Sequence, residues 1–179
     1  MHLIEFVRLA VAAIATVILA GAAVSDIRWR RIPNACILAL MALFLPWALT
    51  GGWPAALSAL EAAVIALAAT VALYAFKILG AGDSKLFAAC ALFAGMELLP
   101  FLALGTAVTG GVIALGVLAS QPQRLLVIIT FRGKAGFSRS VPYGVAIAAA
   151  AAIVIWAPLA GLLGPNGFHD PAAVSGHSR

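Results

Sequence analysis

The chain has 179 residues, of which 64% are hydrophobic and only 9% are charged. Soluble globular domains carry about 25% charged residues, so this composition excludes an ordinary soluble domain. The net charge of +5 does not indicate a nucleic-acid partner, because no basic stretch interleaved with aromatic residues is long enough to follow a phosphate backbone. The apolar runs are unbroken and lack the period of two expected of a membrane β-barrel. We therefore predict an all-α, polytopic membrane protein.

Six apolar segments approach the length of about 20 residues that a bilayer-spanning helix requires. In chain order they cover residues 3–24, 35–49, 54–76, 84–99, 101–120 and 143–163. The second and fourth are short and would need local thinning of the bilayer. Turn-forming residues separate several of them, at residues 50–54, 97–100 and 164–167. The prediction is a single domain, residues 1–179, of about six transmembrane helices with a polar, flexible tail at about 164–179.

The basic residues are distributed unevenly among the predicted loops. The loops after the first, third and fifth spans hold nine of the eleven Lys and Arg residues, namely Arg28, Arg30, Arg31, Lys77, Lys85, Arg124, Arg132, Lys134 and Arg139. The positive-inside rule makes these three loops cytoplasmic and places both termini outside. Asp26 follows the first span and Asp83 follows the third, so both are predicted at the cytoplasmic face at similar depth.

These two aspartates are the main candidates for function. Each lies in a polar cluster beside an apolar segment, residues 25–34 for Asp26 and residues 80–85 for Asp83. A carboxylate at the edge of a membrane costs several kcal/mol unless it is paired or hydrated, and is a functional candidate by default. Two carboxylates within a few ångströms hold one proton between them, so that one can activate a water while the other polarises a carbonyl. This chemistry is that of an aspartyl peptidase.

The residues around the aspartates have both functional and structural interpretations. Lys85 and Arg28 could keep one carboxylate ionised, or could act as cationic anchors at the membrane interface. Gly80 and Gly82 give the chain access to positive φ and to close backbone approach. Alternatively, they could form a flexible turn in which Asp83 is the N-cap of the next helix.

Other polar positions are assigned less specific roles. Pro33 and Asn34 fit the start of the second span, because proline fixes φ and asparagine can supply a capping hydrogen bond. Glu61 is interpreted as an interfacial or bundle-facing carboxylate near the outer end of the third span. The apolar run 125–131, in the loop 121–141, could lie at the interface or pack on the bundle. No H-E-x-x-H or C-x-x-C motif is present, and neither a metal ion nor a cofactor is predicted.

Taken together, the two clusters resemble the motifs of the type IV prepilin peptidases. Residues 26–34 (DIRWRRIPN) are similar to the first aspartate motif of that family, residues 80–86 (GAGDSKL) to its Gly-x-Gly-Asp-x-Lys motif, and residues 141–144 (VPYG) to its Pro-aromatic-Gly element. The resemblance implies an endopeptidase of the bacterial inner membrane that removes the leader from prepilins or pseudopilins at the cytoplasmic face. Asp26 and Asp83 would be the catalytic pair. Supporting or substrate-binding roles are then predicted for Gly80, Gly82, Lys85, Arg28, Pro33 and Asn34.

One departure from the longer members of that family limits the expected activity. Those members carry an extra cytoplasmic domain with paired C-x-x-C motifs and methylate the new N-terminus. The two cysteines here, Cys36 and Cys90, both lie inside apolar segments, so methyl transfer is not predicted. The chain resembles the short form associated with Flp-type (tight-adherence) pili. Because its loops are basic, recognition of a basic leader is expected to use backbone pairing and a glycine-sized pocket.

Two other classes of function remain open from the residues alone. A small proton-coupled carrier could use the same aspartates as a relay. Two similar halves with broken helices near the midplane would favour a carrier, but no internal repeat is visible and the aspartates are predicted at the membrane edge. A non-enzymatic scaffold of a secretion machine would tolerate Asp→Asn at both positions.

Overall fold

The computed structural model describes residues 3–120 and 142–160, and the described part of the chain is helical. Its four helices are α1 (Leu3–Trp29), α2 (Asn34–Ala75), α3 (Ala81–Ser120) and α4 (Tyr143–Trp156). Three of them, α1, α2 and α3 as far as Val117, are long and apolar enough to cross a membrane, and α4 is a shorter apolar helix. The predicted all-α membrane class is confirmed. The count of three such helices does not support the predicted number of about six spans. The predicted tail and the loop 121–141 lie outside the described residues.

Two glycines interrupt the two longest helices. Gly52, within α2, has φ 76° and ψ 177°, and Gly95, within α3, has φ 62° and ψ −177°. This backbone region is adopted almost only by glycine, because any Cβ would clash with the chain. Each long helix therefore consists of two helical segments joined at a glycine.

Contacts on either side of Gly52 show that the chain reverses direction there. Just before it, Thr50 Oγ1 accepts a hydrogen bond of 3.0 Å from Arg8 Nε, near the start of α1. After it, the backbone carbonyl of Thr70 accepts a 3.2 Å hydrogen bond from Ser84 Oγ, near the start of α3. The start of α3 lies beside Ile32, just past the end of α1. The second segment of α2 thus returns to the end of the bundle from which the first departed.

The chain reverses again at Gly95. The first segment of α3 begins beside Ile32, and Met96 N–H donates a 3.0 Å hydrogen bond to Ser58 Oγ in the second segment of α2. Further along α3, Gly105 faces Ala150 and Gly110 faces Tyr143. The second segment of α3 therefore returns alongside α4, in the opposite direction to that helix.

Several predicted boundaries need correction. The predicted turn at 50–54 contains the reversal at Gly52, but the turn predicted at 97–100 is wrong, since the reversal is at Gly95 and Pro100 lies inside the helix. The chain reverses at the glycine because the reversal requires a positive φ, whereas a proline is tolerated early in a helix. The helix α1 continues to Trp29 rather than ending near residue 24, and α4 ends at Trp156 rather than at residue 163.

The helices pack through small residues and present large ones outward. Alanines of all four helices are among the most buried residues, including Ala12, Ala62, Ala91 and Ala151. Small side chains let helix backbones approach closely, which compensates for the lack of a hydrophobic driving force within lipid. Many large apolar side chains are instead exposed, as expected for a surface surrounded by lipid, including Val17, Leu38, Val64, Leu104, Val112 and Ile153.

The substitution Gly52→Ala tests the reversal within α2. The nearest atom to an added Cβ would be Pro54 Cδ at 4.0 Å, so the cost is conformational rather than steric. We expect the protein to lose about 1–3 kcal/mol of stability, the cost of a non-glycine residue in this backbone region. Thermal unfolding of the purified protein in detergent measures the change. Gly111→Ala, which adds a Cβ with nothing within 4 Å, is the control and should unfold at the wild-type temperature or above. Equal unfolding temperatures for Gly52→Ala and wild type would contradict the assignment.

Candidate active site

Asp26 lies within the last two turns of α1 and is 7% exposed. The sequence placed it in a loop after the first span; it is helical because α1 continues to Trp29. Its Oδ2 accepts a hydrogen bond of 2.8 Å from the backbone N–H of Gly144. Gly144 is in the first turn of α4, where backbone N–H groups have no partner within the helix and attract negative charge. The buried carboxylate is thus held by the N-terminus of another helix.

Only a glycine at position 144 allows this contact. A Cβ there would lie 2.8 Å from Asp26 Oδ2, 3.0 Å from Cγ and 3.1 Å from Cβ. Gly144 belongs to the Pro-aromatic-Gly element seen in the sequence, but its partner could not be identified, because the two residues are 118 positions apart. Gly144 is therefore a site residue that the sequence analysis did not assign.

Asp83 is the third residue of α3, and its carboxylate turns back to the residue before the helix. Asp83 Oδ2 accepts a 3.3 Å hydrogen bond from the N–H of Gly80. This is the acidic half of a capping box, in which the third helical residue satisfies the N–H of the N-cap. The proposed alternative, that Asp83 is itself the N-cap, is wrong, since α3 begins at Ala81.

The two glycines of the second cluster provide space rather than unusual backbone angles. The expectation of positive φ is wrong, because among the described glycines only Gly52 and Gly95 have it. A Cβ at Gly80 would lie 2.7 Å from Asp83 Oδ2, and a Cβ at Gly82 would lie 3.4 Å from Ile32 Cβ. The predicted close approach is present at both positions, and Gly82 brings the start of α3 against the loop that follows α1.

The two carboxylates face the same cavity, which has a volume of about 340 Å³. They are close enough to interact electrostatically, and Arg30 also interacts with Asp26. The other residues that line the cavity are Arg30, Arg31, Ile32, Asn34, Gly80, Ala81, Gly82 and Lys85. The site thus combines two carboxylates with three cationic side chains at one end of the bundle.

The predicted supporting residues divide into two groups. Gly80, Gly82, Lys85 and Asn34 line the cavity, whereas Arg28 and Pro33 are exposed and are not among its lining residues.

The reason for the position of Arg28 is helical geometry. Arg28 lies two residues after Asp26 within α1, so the two side chains point in different directions. The Arg28 guanidinium lies 5.4 Å from the ring centre of Trp29 instead. Arg30, which follows the end of the helix with φ 52°, lines the cavity in its place.

Pro33 lies outside the cavity because it forms the start of α2. Pro33 is the N-cap of α2 and no side chain caps that end, so the predicted capping bond from Asn34 is not formed.

Buried hydroxyl groups hold the backbone around the cavity. Ser25 Oγ donates a 2.7 Å hydrogen bond to the Arg31 carbonyl and ties the loop to α1. Ser84 Oγ is within hydrogen-bonding distance of the carbonyls of Gly80 (3.1 Å) and Thr70 (3.2 Å), which fastens the start of α3 to α2. The sequence analysis gave these two hydroxyls no role, although each belongs to a residue next to an aspartate in the sequence.

An apolar groove adjoins the cavity. It has a volume of about 530 Å³ and shares Asn34 and Lys85 with the cavity. From there it continues between α2 and α3, lined by Ile37, Leu38, Met41, Leu60, Ala63, Val64, Leu67, Ala88, Ala89 and Leu92. The arrangement can accept a polar chain segment at the carboxylates and an apolar segment beside it.

No group of three or more His, Cys, Asp or Glu side chains that could hold a metal ion occurs within residues 3–120 and 142–160.

Comparison with known protein families shows which family the chain is similar to. The model of the type IV leader peptidase family matches residues 13–115, which include both aspartate clusters. No curated protein and no solved structure matches the chain.

Proposed function

Because the chain belongs to the type IV leader peptidase family, we propose that it is an aspartyl endopeptidase in which Asp26 and Asp83 form the catalytic pair. The observation that carries the proposal is the single cavity that both carboxylates face, at one end of a bundle otherwise packed with alanine and other apolar residues. The family match gives no support to the alternative of a proton-coupled carrier.

In the proposed reaction the two carboxylates share one proton. The ionised carboxylate takes a proton from a water in the cavity, and the water oxygen attacks the carbonyl carbon of the scissile peptide bond. The protonated carboxylic acid donates a hydrogen bond to the carbonyl oxygen as negative charge develops there. When the tetrahedral intermediate collapses, a proton passes to the leaving amine and the C–N bond breaks. The pair is then left with one proton again, and titrates as a unit.

The surroundings of each carboxylate suit this exchange of roles. Asp26 is held by the Gly144 N–H and Asp83 by the Gly80 N–H, and both donors lie at the start of a helix. Such amides favour an ionised carboxylate without supplying a proton to it. Arg30, Arg31 and Lys85 add positive charge around the cavity. This positive charge lowers the free-energy cost of holding a negative charge on the two carboxylates.

We propose precursors of type IV pilins or pseudopilins as the substrates. In the bound substrate, the residues before the scissile bond would lie at the carboxylates, and the apolar segment that follows would lie in the groove between α2 and α3. Asn34 and Lys85, which border both the cavity and the groove, would lie at the junction. As the type we propose a Flp-pilus peptidase without methyltransferase activity, because the two cysteines, Cys36 and Cys90, form no C-x-x-C motif.

For the membrane topology we propose six crossings, with α2 and α3 each crossing twice. The chain reversals at Gly52 and Gly95 support this topology, since they return the chain to the end at which Asp26 lies. The basic residues of the cavity would be cytoplasmic by the positive-inside rule, in a bacterial inner membrane, and the start of α1 would be external.

The first prediction from the proposed function concerns the two aspartates. Asp26→Asn and Asp83→Asn should each abolish leader cleavage, because an amide can neither accept nor share the proton. The protein is co-expressed with prepilins encoded near its own gene, and leader removal is measured as a mass shift of the pilin. Glu61→Gln, an exposed carboxylate of α2 away from the cavity, is the matched control and should cleave as wild type does. If either aspartate variant is inserted in the membrane at normal levels and still processes the prepilin fully, the two-carboxylate mechanism is wrong.

The second prediction concerns Gly144→Ala. The added methyl group overlaps Asp26 Oδ2, so the carboxylate must leave its hydrogen bond or α4 must move away. We expect cleavage to fall by at least about tenfold, because displacement of a catalytic group by about 1 Å costs up to 10²-fold. The same co-expression assay measures the change. Gly116→Ala in α3, whose Cβ would meet nothing within 4 Å, should retain wild-type cleavage. Equal rates for the two variants would show that the Gly144 contact does not orient the catalytic carboxylate.

The third prediction tests the six crossings. In a protein whose two native cysteines are replaced by alanine, single cysteines at the exposed positions Leu49 and Ile78 should react with a membrane-impermeant maleimide from opposite sides. Leu49→Cys should be labelled in intact spheroplasts, and Ile78→Cys only after the membrane is disrupted. The two positions flank the second segment of α2, so labelling from the same side would mean that this segment does not cross.

A further inference from the structure

A second cavity lies at the opposite end of the bundle from the two aspartates. Arg8 lines it and precedes Asp26 by 18 residues along α1, or about 27 Å at 1.5 Å per residue. The hydrocarbon core of a bilayer is about 30 Å thick. The two cavities therefore lie near opposite surfaces of the membrane, and the second cannot take part in the proposed cleavage.

Arg8 is fixed in this cavity rather than extended into solvent. Its Nε donates to Thr50 Oγ1 at 3.0 Å and its Nη2 donates to the Thr50 carbonyl at 3.3 Å. The guanidinium carbon lies 5.7 Å from the ring centre of Trp47. A guanidinium has five N–H donors in one plane, and these two bonds use two of them. The oriented side chain still has donors with which to bind an anionic oxygen.

The other walls of the cavity supply a negative charge and aromatic faces. Glu97, just after the reversal at Gly95, lines the same cavity, which has a volume of about 420 Å³. Phe44, Trp47 and Phe93 also line it, and Phe93 packs on both other rings with centre distances of 6.1 and 5.8 Å. The volume is within the range of roughly 300–1,000 Å³ found for ligand pockets.

This combination selects against simple ions. An anion drawn to Arg8 would meet the carboxylate of Glu97, and a cation drawn to Glu97 would meet the guanidinium. A ligand that carries both charges can satisfy both side chains, and an ammonium is also attracted to aromatic faces. The exposed apolar side chains near the cavity, Leu45, Leu49 and Trp53, offer a surface for acyl chains.

We propose that this cavity binds the zwitterionic phosphoethanolamine headgroup of a membrane lipid. The phosphate receives hydrogen bonds from Arg8, the ammonium lies towards Glu97 and the aromatic rings, and the acyl chains follow the apolar surface of α2. The bound headgroup bridges α1 and the reversals at Gly52 and Gly95, so it stabilises the end of the bundle that has no part in cleavage.

Native mass spectrometry of the full chain in detergent tests the proposal. The protein is incubated with equal amounts of phosphatidylethanolamine, phosphatidylglycerol and phosphatidylcholine, and the retained lipid is identified by mass. We expect phosphatidylethanolamine to dominate in wild type and its adduct to fall roughly tenfold in Arg8→Gln, as a charge-assisted hydrogen bond is lost. Arg28→Gln is the matched control, because that arginine also stacks on a tryptophan, at 5.4 Å, but outside the cavity. Its adduct should equal that of wild type.

Two further measurements identify the ligand and distinguish a loss of binding from misfolding of the variant. Glu97→Gln, at an exposed position, should fold even if Arg8→Gln does not, and should lose the preference for phosphatidylethanolamine over phosphatidylglycerol. Soluble glycerophosphoethanolamine should displace the lipid only at large excess. Binding of the soluble compound as tight as that of the lipid would overturn the lipid assignment. Equal adducts of all three lipids, or an unchanged preference in Glu97→Gln, would overturn the proposed site.

Discussion

The contact between Asp26 and Gly144 is the constraint on which the site depends. A carboxylate that is 7% exposed is costly to bury unless it is hydrogen-bonded, and the Gly144 N–H supplies a bond of 2.8 Å. The same two helices are joined at a second point, where Trp156 Nε1 donates to Thr16 Oγ1 at 2.9 Å. These two bonds, ten residues apart along α1, fix both the distance and the direction of α4. The position of the Asp26 carboxylate in the cavity follows from that packing.

Glycines make this arrangement possible in two different ways. At Gly52 and Gly95 the backbone adopts angles that other residues avoid, and the chain returns towards the end of the bundle at which Asp26 lies. At Gly80 and Gly144 the angles are ordinary, but a Cβ would collide with an aspartate oxygen. Gly52, which lies between Asp26 and Asp83, brings the two carboxylates to one end of the bundle, and Gly95 returns the chain towards Gly144. Gly80 and Gly144 let backbone amides reach the carboxylates.

The sequence was sufficient for the class of protein and the family, because composition and motif spacing are local properties, whereas the catalytic roles of Asp26 and Asp83 stay a prediction. Counting basic residues by loop also placed both aspartates at one end. The sequence could not identify Gly144 as the partner of Asp26, since that contact depends on how α4 packs. It assigned Arg28 rather than Arg30 to the site because the end of α1 was set five residues too early; a helix that continues to Trp29 turns Arg28 away. The reversal at Gly95 was missed because proline at position 100 was the stronger turn signal.

The depth of Asp83 is fixed by the pairing of the second segment of α2 with the first segment of α3. Ser58 bonds to Met96 near one end of this pair, and Thr70 bonds to Ser84 near the other. The two bonds are separated by 12 residues on each helix, about 18 Å at the helical rise, so neither helix can slide without breaking both. A slip of one turn would move Asp83, the neighbour of Ser84, by about 5.4 Å. Two carboxylates share a proton only within a few ångströms. The hydroxyl bonds between α2 and α3 therefore matter to the proposed chemistry, because they set the position of the Asp83 carboxylate along the bundle.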